Sequence, residues 1–190
     1  YVKKHKDQYP FFIMMDMDDV NCKTCHPEVL RPYLHRTDWD ALSFQTSPAY
    51  YDIWALSIYP FCFSYNHFHN NQQQHHVIQN YIQELLRKTR EKPMGPNKPS
   101  LLPCISAFNG FAIYRTSKFL NAYYDGHVRD DLFLPAHLKA HANIAKSPLI
   151  AKKYETVNGF YEDCEHRAFH RMGFLYHQAK IRISPECVFT

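Results

Sequence analysis

Five apolar residues in succession, Phe11 to Met15, run directly into Asp16, Asp18 and Asp19. A short unbroken apolar run predicts a strand buried on both faces of a mostly parallel sheet. Residues 1–8 read as the tail of a helix that Pro10 breaks. Residues 27–35 (PEVLRPYLH) suit a short helix with Pro27 in its first turn. Residues 39–47 and 51–59 mix apolar and polar side chains and read as strand, or strand plus turn. After a polar run over 66–76, Val77, Ile78, Tyr81, Ile82, Leu85 and Leu86 fall on one face of a helix that extends to Arg90.

Residues 91–100 form a proline-rich loop, and 101–115 read as two short extended pieces around Asn109-Gly110. Residues 117–124 suggest a helix ended by Asp125-Gly126. A loop over 147–159 closes at Asn158-Gly159. A helix with acids at its start follows over 160–174, and AKIRIS (179–184) is a last strand. The chain shows no internal repeat and no domain boundary, so residues 1–190 read as one domain. Strands and helices alternate, which predicts an α/β sheet.

Composition narrows the classes. The chain has 190 residues, 45% hydrophobic and 16% aromatic, enough for a core and unlike a disordered segment. No apolar run approaches the roughly 18 to 20 residues of a membrane-spanning helix, and the N-terminus is not a signal peptide. Net charge is +4 with 13 histidines. That permits phosphate-bearing ligands, but there is no Lys/Arg stripe, so a nucleic-acid partner is not expected. Six scattered cysteines do not form a disulfide framework. The chain opens YVKKHKDQ and ends SPECVFT, as expected of a segment cut from a longer polypeptide.

The acidic cluster carries the chemistry. In open α/β sheets ligands sit beyond the carboxyl ends of strands. Three crowded carboxylates raise one another's pKa unless a cation relieves the repulsion. Mg²⁺ or Mn²⁺ is typically held by one or two carboxylates plus ligand phosphates. DMDD therefore reads as a metal–diphosphate site. The same residues also suit a solvated loop with Asp19 or Asn21 capping a turn.

With Asp16-Met17-Asp18 at a strand end, the chain resembles the GT-A class of nucleotide-sugar glycosyltransferases, whose hallmark is a DxD motif. YDIWALS (51–57), CISAFNGFAIYR (104–115) and NGFYEDCEHRAFH (158–170) extend the resemblance over most of residues 9–189. They are similar to a group of glycosyltransferase sequences from large DNA viruses of algae and from some eukaryotes. The resemblance implies a GT-A-like mixed sheet flanked by helices and inverting, metal-dependent transfer. A nucleotide-sugar would be the donor and a glycan or glycoprotein hydroxyl the acceptor. It makes Asp18 the direct ligand of Mn²⁺ or Mg²⁺, with Asp16 towards the ribose or donor sugar and Asp19 able to replace Asp18. The nucleotide-binding βαβαβ portion that precedes DxD in that class is absent from this sequence.

In the second acidic stretch, inverting transfer needs a carboxylate to take the acceptor hydroxyl's proton. The resemblance favours Asp163, with Glu162 and Glu165 as close alternatives; an ordinary acidic first helical turn also fits. His166 and His170, four apart, would share a helical face, and either could be a further metal ligand or a core-edge histidine. Asn109 and Gly110 read as a donor- or acceptor-contacting loop or a plain hairpin turn. Asp52 and Trp54 suit sugar binding or the core. Cys22 and Cys25, in NCKTCH, suit a zinc or haem site less well than a local disulfide or two buried thiols. The His67–His76 run suits a solvated loop that could close over substrate. A carbohydrate-active hydrolase pairing Asp18 with Asp163, and a non-catalytic carbohydrate-binding domain, remain alternatives. Golgi lumen and virus-infected cytoplasm both fit.

Overall fold

The computed structural model describes residues 2–17, 21, 23–63, 72–95, 99–145 and 162–190. It is α/β, with a five-stranded mixed sheet flanked by helices. The strands are β1 (Phe11–Met15), β2 (Ala41–Gln45), β3 (Leu102–Pro103), β4 (Phe111–Arg115) and β5 (Ile181–Cys187), in the order β1-β4-β2-β5-β3. Strand β2 runs parallel to β5, and the other three pairings are antiparallel. Strand β4 lies reversed between β1 and β2, so β1, β2 and β5 all point the same way. Their carboxyl ends share one rim with the start of β4.

Side chains alternate across a strand, and the register sorts the two faces. Phe12 lies opposite Tyr114, and Ala41 opposite both Tyr114 and Ile181. This face packs on the helices α2 (Gln72–Arg90) and α5 (Glu165–His177) through two buried clusters. The opposite face carries Phe11, Leu42, Phe44, Phe111 and Ile113. It is covered by Tyr33 of α1 (Arg31–Leu34) and by Trp39, which is fully buried and donates to the Tyr33 carbonyl at 2.9 Å. Helix α1 continues a 3-10 turn over Pro27–Leu30, as the proline-led pattern predicts.

Helix α5 is buried all round from His166 to Gly173. Gly173 lets it cross α3 (Thr116–Phe119) closely, because a Cβ there would collide with the Phe119 ring. The helix ends at Gln178, whose left-handed backbone turns its N–H onto the Phe174 carbonyl at 2.7 Å.

Several expectations are corrected. Strand β1 is an antiparallel edge strand rather than a strand buried on both faces: Ile13 and Met15 are 53% and 42% exposed. An apolar run does not say which of its faces is covered. The sheet is mixed, as the resemblance implies, and with one parallel pair it is not mostly parallel. Residues 51–59 form turns and isolated bridges instead of a strand, because their backbone bonds go to Ser106 and to one another. Strands β3 and β4 are not a hairpin; each pairs with other strands. The helix expected over 117–124 is the single turn α3, residues 2–5 form only a 3-10 turn, and α4 (Pro135–Ala145) carried no signal. Among the described residues no helix is long and apolar enough to cross a membrane.

Candidate active site

Asp16 leaves β1 on the face that Phe12 and Met14 share with α5, at the common carboxyl rim. Its backbone N–H donates to the Gly110 carbonyl at 2.9 Å, and the Asn21 amide donates to the carbonyls of Asp16 and Gly110, both at 2.8 Å. The Tyr51 hydroxyl donates to the Asp16 carboxylate at 3.3 Å. The strand exit is thus tied to the β4 entry and to the 50–58 segment. The Asn21 side-chain oxygen is buried there with no hydrogen-bond partner.

Asn109 organises the neighbouring turn. It sits in the left-handed region at φ 57°, which asparagine tolerates better than most residues, and Gly110 follows at φ 80°. Its buried side chain accepts from the N–H groups of Tyr51 and Asp52 and donates to the Phe44 carbonyl at 2.8 Å. Asp52 answers by accepting from the N–H groups of Ala55 and Asn109. Burial raises its pKa against these bonds and the Arg167 charge, and Asp16 adds to the rise. Asp16 and Asp52 therefore share one electrostatic environment. Trp54 is half-buried against the α5-side core, and its carbonyl accepts from Arg167.

The N-terminal turn of α5 meets this rim. Asp163 is buried, and both its oxygens accept from Arg167 Nε, at 3.0 and 2.9 Å; one also accepts from the Cys164 N–H. Arg167 is 1% exposed and extends further donors to the carbonyls of Trp54, Ala55 and Leu56 and to the Ser57 hydroxyl. Glu162 and Glu165 are half-buried. No hydrogen bond or ion pair engages the Glu165 carboxylate among the described residues.

Tyr124 stands between the two acidic stretches. Its hydroxyl contacts Met14 of β1 and lies 3.3 Å from His166 Nδ1. Burial raises its pKa, and the charges of Glu165, Cys164 and Asp16 raise it further. His166 stacks on Phe108 with ring centroids 3.8 Å apart. Burial pushes its pKa down to about 4. His166 and His170 do share a face, their rings 6.1 Å apart. His170, however, is fully buried and bonded at both ring nitrogens, to the Ser106 hydroxyl at 2.9 Å and the Tyr114 hydroxyl at 3.1 Å. A metal would have to displace one of them.

These histidines set a pH dependence. Both are held neutral, with folded pKa values below the ordinary 6.5, His170 well below. As pH falls from 6.5 towards 4, the unfolded chain takes up protons that the folded one refuses. Unfolding free energy should therefore fall by about 1.4 kcal/mol per pH unit for each histidine. Urea melts at pH 7, 6 and 5 check this, and His166→Phe should remove one proton's worth of slope.

Asp18 and Asp19 lie outside the described residues, as do Cys22, the loop over 147–159 with Asn158-Gly159, and residues 67–71 of the His67–His76 run; residues 72–76 of that run are the start of α2 rather than loop. Among the described residues no group of three His, Cys, Asp or Glu side chains could hold a metal ion. Cys25 is an exposed free thiol rather than a buried or paired one, and both ring nitrogens of His26 have partners, Glu28 and Thr190. The sequence reading missed Tyr51, Tyr124 and Arg167. Only Arg167 had a signal, its i,i+4 spacing from Asp163. Comparison with protein-family models, curated proteins and solved structures returns no match to this chain.

Proposed function

We propose that the chain carries the metal-binding and acceptor-activating part of a GT-A-type glycosyltransferase, which moves a sugar from a nucleotide diphosphate to an acceptor hydroxyl with inversion. The observation that carries this reading is the convergence, around Tyr124, of the β1 strand end and the first turn of α5 on one rim of the sheet. Acids that lie some 150 residues apart in sequence thereby face one region.

The residues present fit a hard divalent cation. Asp16 offers a carboxylate, and Asn21 offers a buried amide oxygen with no hydrogen-bond partner among the described residues, both oxygen donors of the kind Mg²⁺ and Mn²⁺ accept. Asp18, with Asp19 as its substitute, would complete the set. When bound, the ion would neutralise charge on the departing diphosphate. Tyr51 and the Asn21 amide fix Asp16 in place. We assign proton removal from the acceptor to Glu165, whose carboxylate is half-buried and meets no hydrogen-bond or ion-pair partner among the described residues, rather than to Asp163. Asp163 acts as a positioning residue: its pairing with Arg167 holds the first turn of α5 against the 54–57 backbone. Glu162 is the nearest substitute for Glu165.

The test is a panel of nucleotide-diphosphate sugars, with and without oligosaccharide acceptors, across a Mn²⁺ titration. Transfer should require both acceptor and metal. Asp18→Asn should lower kcat/KM about a hundredfold or more, as loss of one electrostatic stabiliser does. Unchanged transfer and metal response in Asp18→Asn would refute the metal assignment. Sugar release without acceptor dependence would favour a hydrolase, and sugar binding indifferent to nucleotide and metal a binding domain.

A further inference from the structure

A second feature opens on the same rim, two strands away. Between the end of β2 and the outer side of α2 lies a groove of about 420 Å³ lined by Gln45, Asn80, Gln83, Glu84, Arg87 and Arg90. The Gln45 amide nitrogen donates to the Gln83 side-chain oxygen at 2.9 Å, which leaves the Gln45 oxygen buried without a partner. Turning both amides over would only exchange an unmet acceptor for an unmet donor. Either way the Gln45 amide keeps, in the groove wall, hydrogen-bonding capacity that no described residue satisfies, and buried polar groups are normally satisfied.

The chemistry of the lining narrows the ligand. Arg87 bridges Glu84 and Glu91, Lys88 also pairs with Glu84, and Arg90 donates to the Pro185 carbonyl. The charges are largely compensated within the protein, which does not favour an anion. What remains are the side-chain amides of Gln45, Asn80 and Gln83, which both give and take hydrogen bonds, the complement of neighbouring hydroxyls on a neutral sugar. Asp16 bonds Gly110 one residue beyond the last β1–β4 pair, and the β2–β4 pairing, which ends at Ser43 and Ala112, points the end of β2 towards the same level. Two strand spacings are about 10 Å, within the span of a short oligosaccharide.

We propose that this groove binds the non-reacting end of a neutral oligosaccharide acceptor, leaving its reactive hydroxyl at the rim beside Asp16 and Glu165. The word acceptor rests on the transferase reading; the neutral sugar does not. Sugar hydroxyls pair with the amides that line the groove, and binding there fixes which end of the glycan reaches the acids.

The experiment uses a printed array of neutral oligosaccharides, probed with the wild-type protein, Gln83→Leu, Asn80→Arg and Asp16→Asn. Asn80 is exposed on α2, so Asn80→Arg obstructs the groove without disturbing the core. The wild type should bind a defined subset. Gln83→Leu and Asn80→Arg should weaken that binding tenfold or more, and should raise acceptor KM more than they change kcat. Asp16→Asn should bind the array like the wild type. No binding by the wild type, or equal binding by wild type and Asn80→Arg, would overturn the groove. Array binding that depends on the groove, with no transfer from any donor, would instead remove the transferase reading and leave the groove standing.

Discussion

Arg167→Met is expected to lower the unfolding free energy by about 3–5 kcal/mol, the usual loss when one member of a buried ion pair is removed. The reason is local. Arg167 and Asp163 are 1% and 3% exposed at their side chains, so the remaining carboxylate would be stranded away from water. The substitution also orphans the carbonyls of Trp54, Ala55 and Leu56 and the Ser57 hydroxyl, which the guanidinium now satisfies. Pairing it with Asp163→Leu should recover part of the loss, because the stranded charge is gone, but not all of it, because the carbonyls stay unmet. A double-mutant cycle by urea unfolding measures the coupling. Full additivity would mean that the pair contributes no mutual stabilisation.

Glu165→Gln should have the opposite signature. An amide of the same shape keeps the contacts but cannot accept the proton, so kcat should fall by about 10²–10⁴, the range for loss of a general base. Acceptor KM and thermal midpoint should move little, since the carboxylate is half-buried and engages no partner among the described residues. Asp163→Asn should instead lower the thermal midpoint, because it weakens the Arg167 pair. Steady-state kinetics and melting curves on the two variants separate base from scaffold. Near-normal kcat in Glu165→Gln would transfer the base role to Glu162 or remove it from this turn.

The elements with strong periodicity were legible in the sequence. Helix α2 has its apolar stripe at Ile78, Ile82 and Leu86; α5 and β5 exist where the pattern put a helix and a strand, though α5 starts five residues later and both run three residues further than expected. Strand β1 was legible as a strand but not as an edge, since five apolar residues look alike whether or not Ile13 and Met15 are covered. Helix α4 was missed because its alanines and histidines carry no sharp stripe. At the site, sequence reasoning found the acids but not what holds them. Asn109 reads as a turn, yet its partners at Phe44, Tyr51 and Asp52 are distant in the chain. Tyr124 joins two stretches more than 100 residues apart, between Met14 and His166, and no local spacing announces such a meeting. The histidine pair faces one way, as i,i+4 spacing requires, but its direction is inward to Ser106 and Tyr114.

The all-round burial of α5 between His166 and Gly173 has a consequence for how this protein tolerates change. The segment to which we assign the proton-accepting acid is also a central beam of the molecule, so on that assignment cohesion and chemistry draw on adjacent positions. Variants in this stretch that lose activity in living cells will often do so by lowering the amount of intact protein. Scoring abundance alongside turnover sorts the two, and beneficial changes in substrate choice should arise instead in the connections at the rim, where a side chain can be exchanged without loosening the beam.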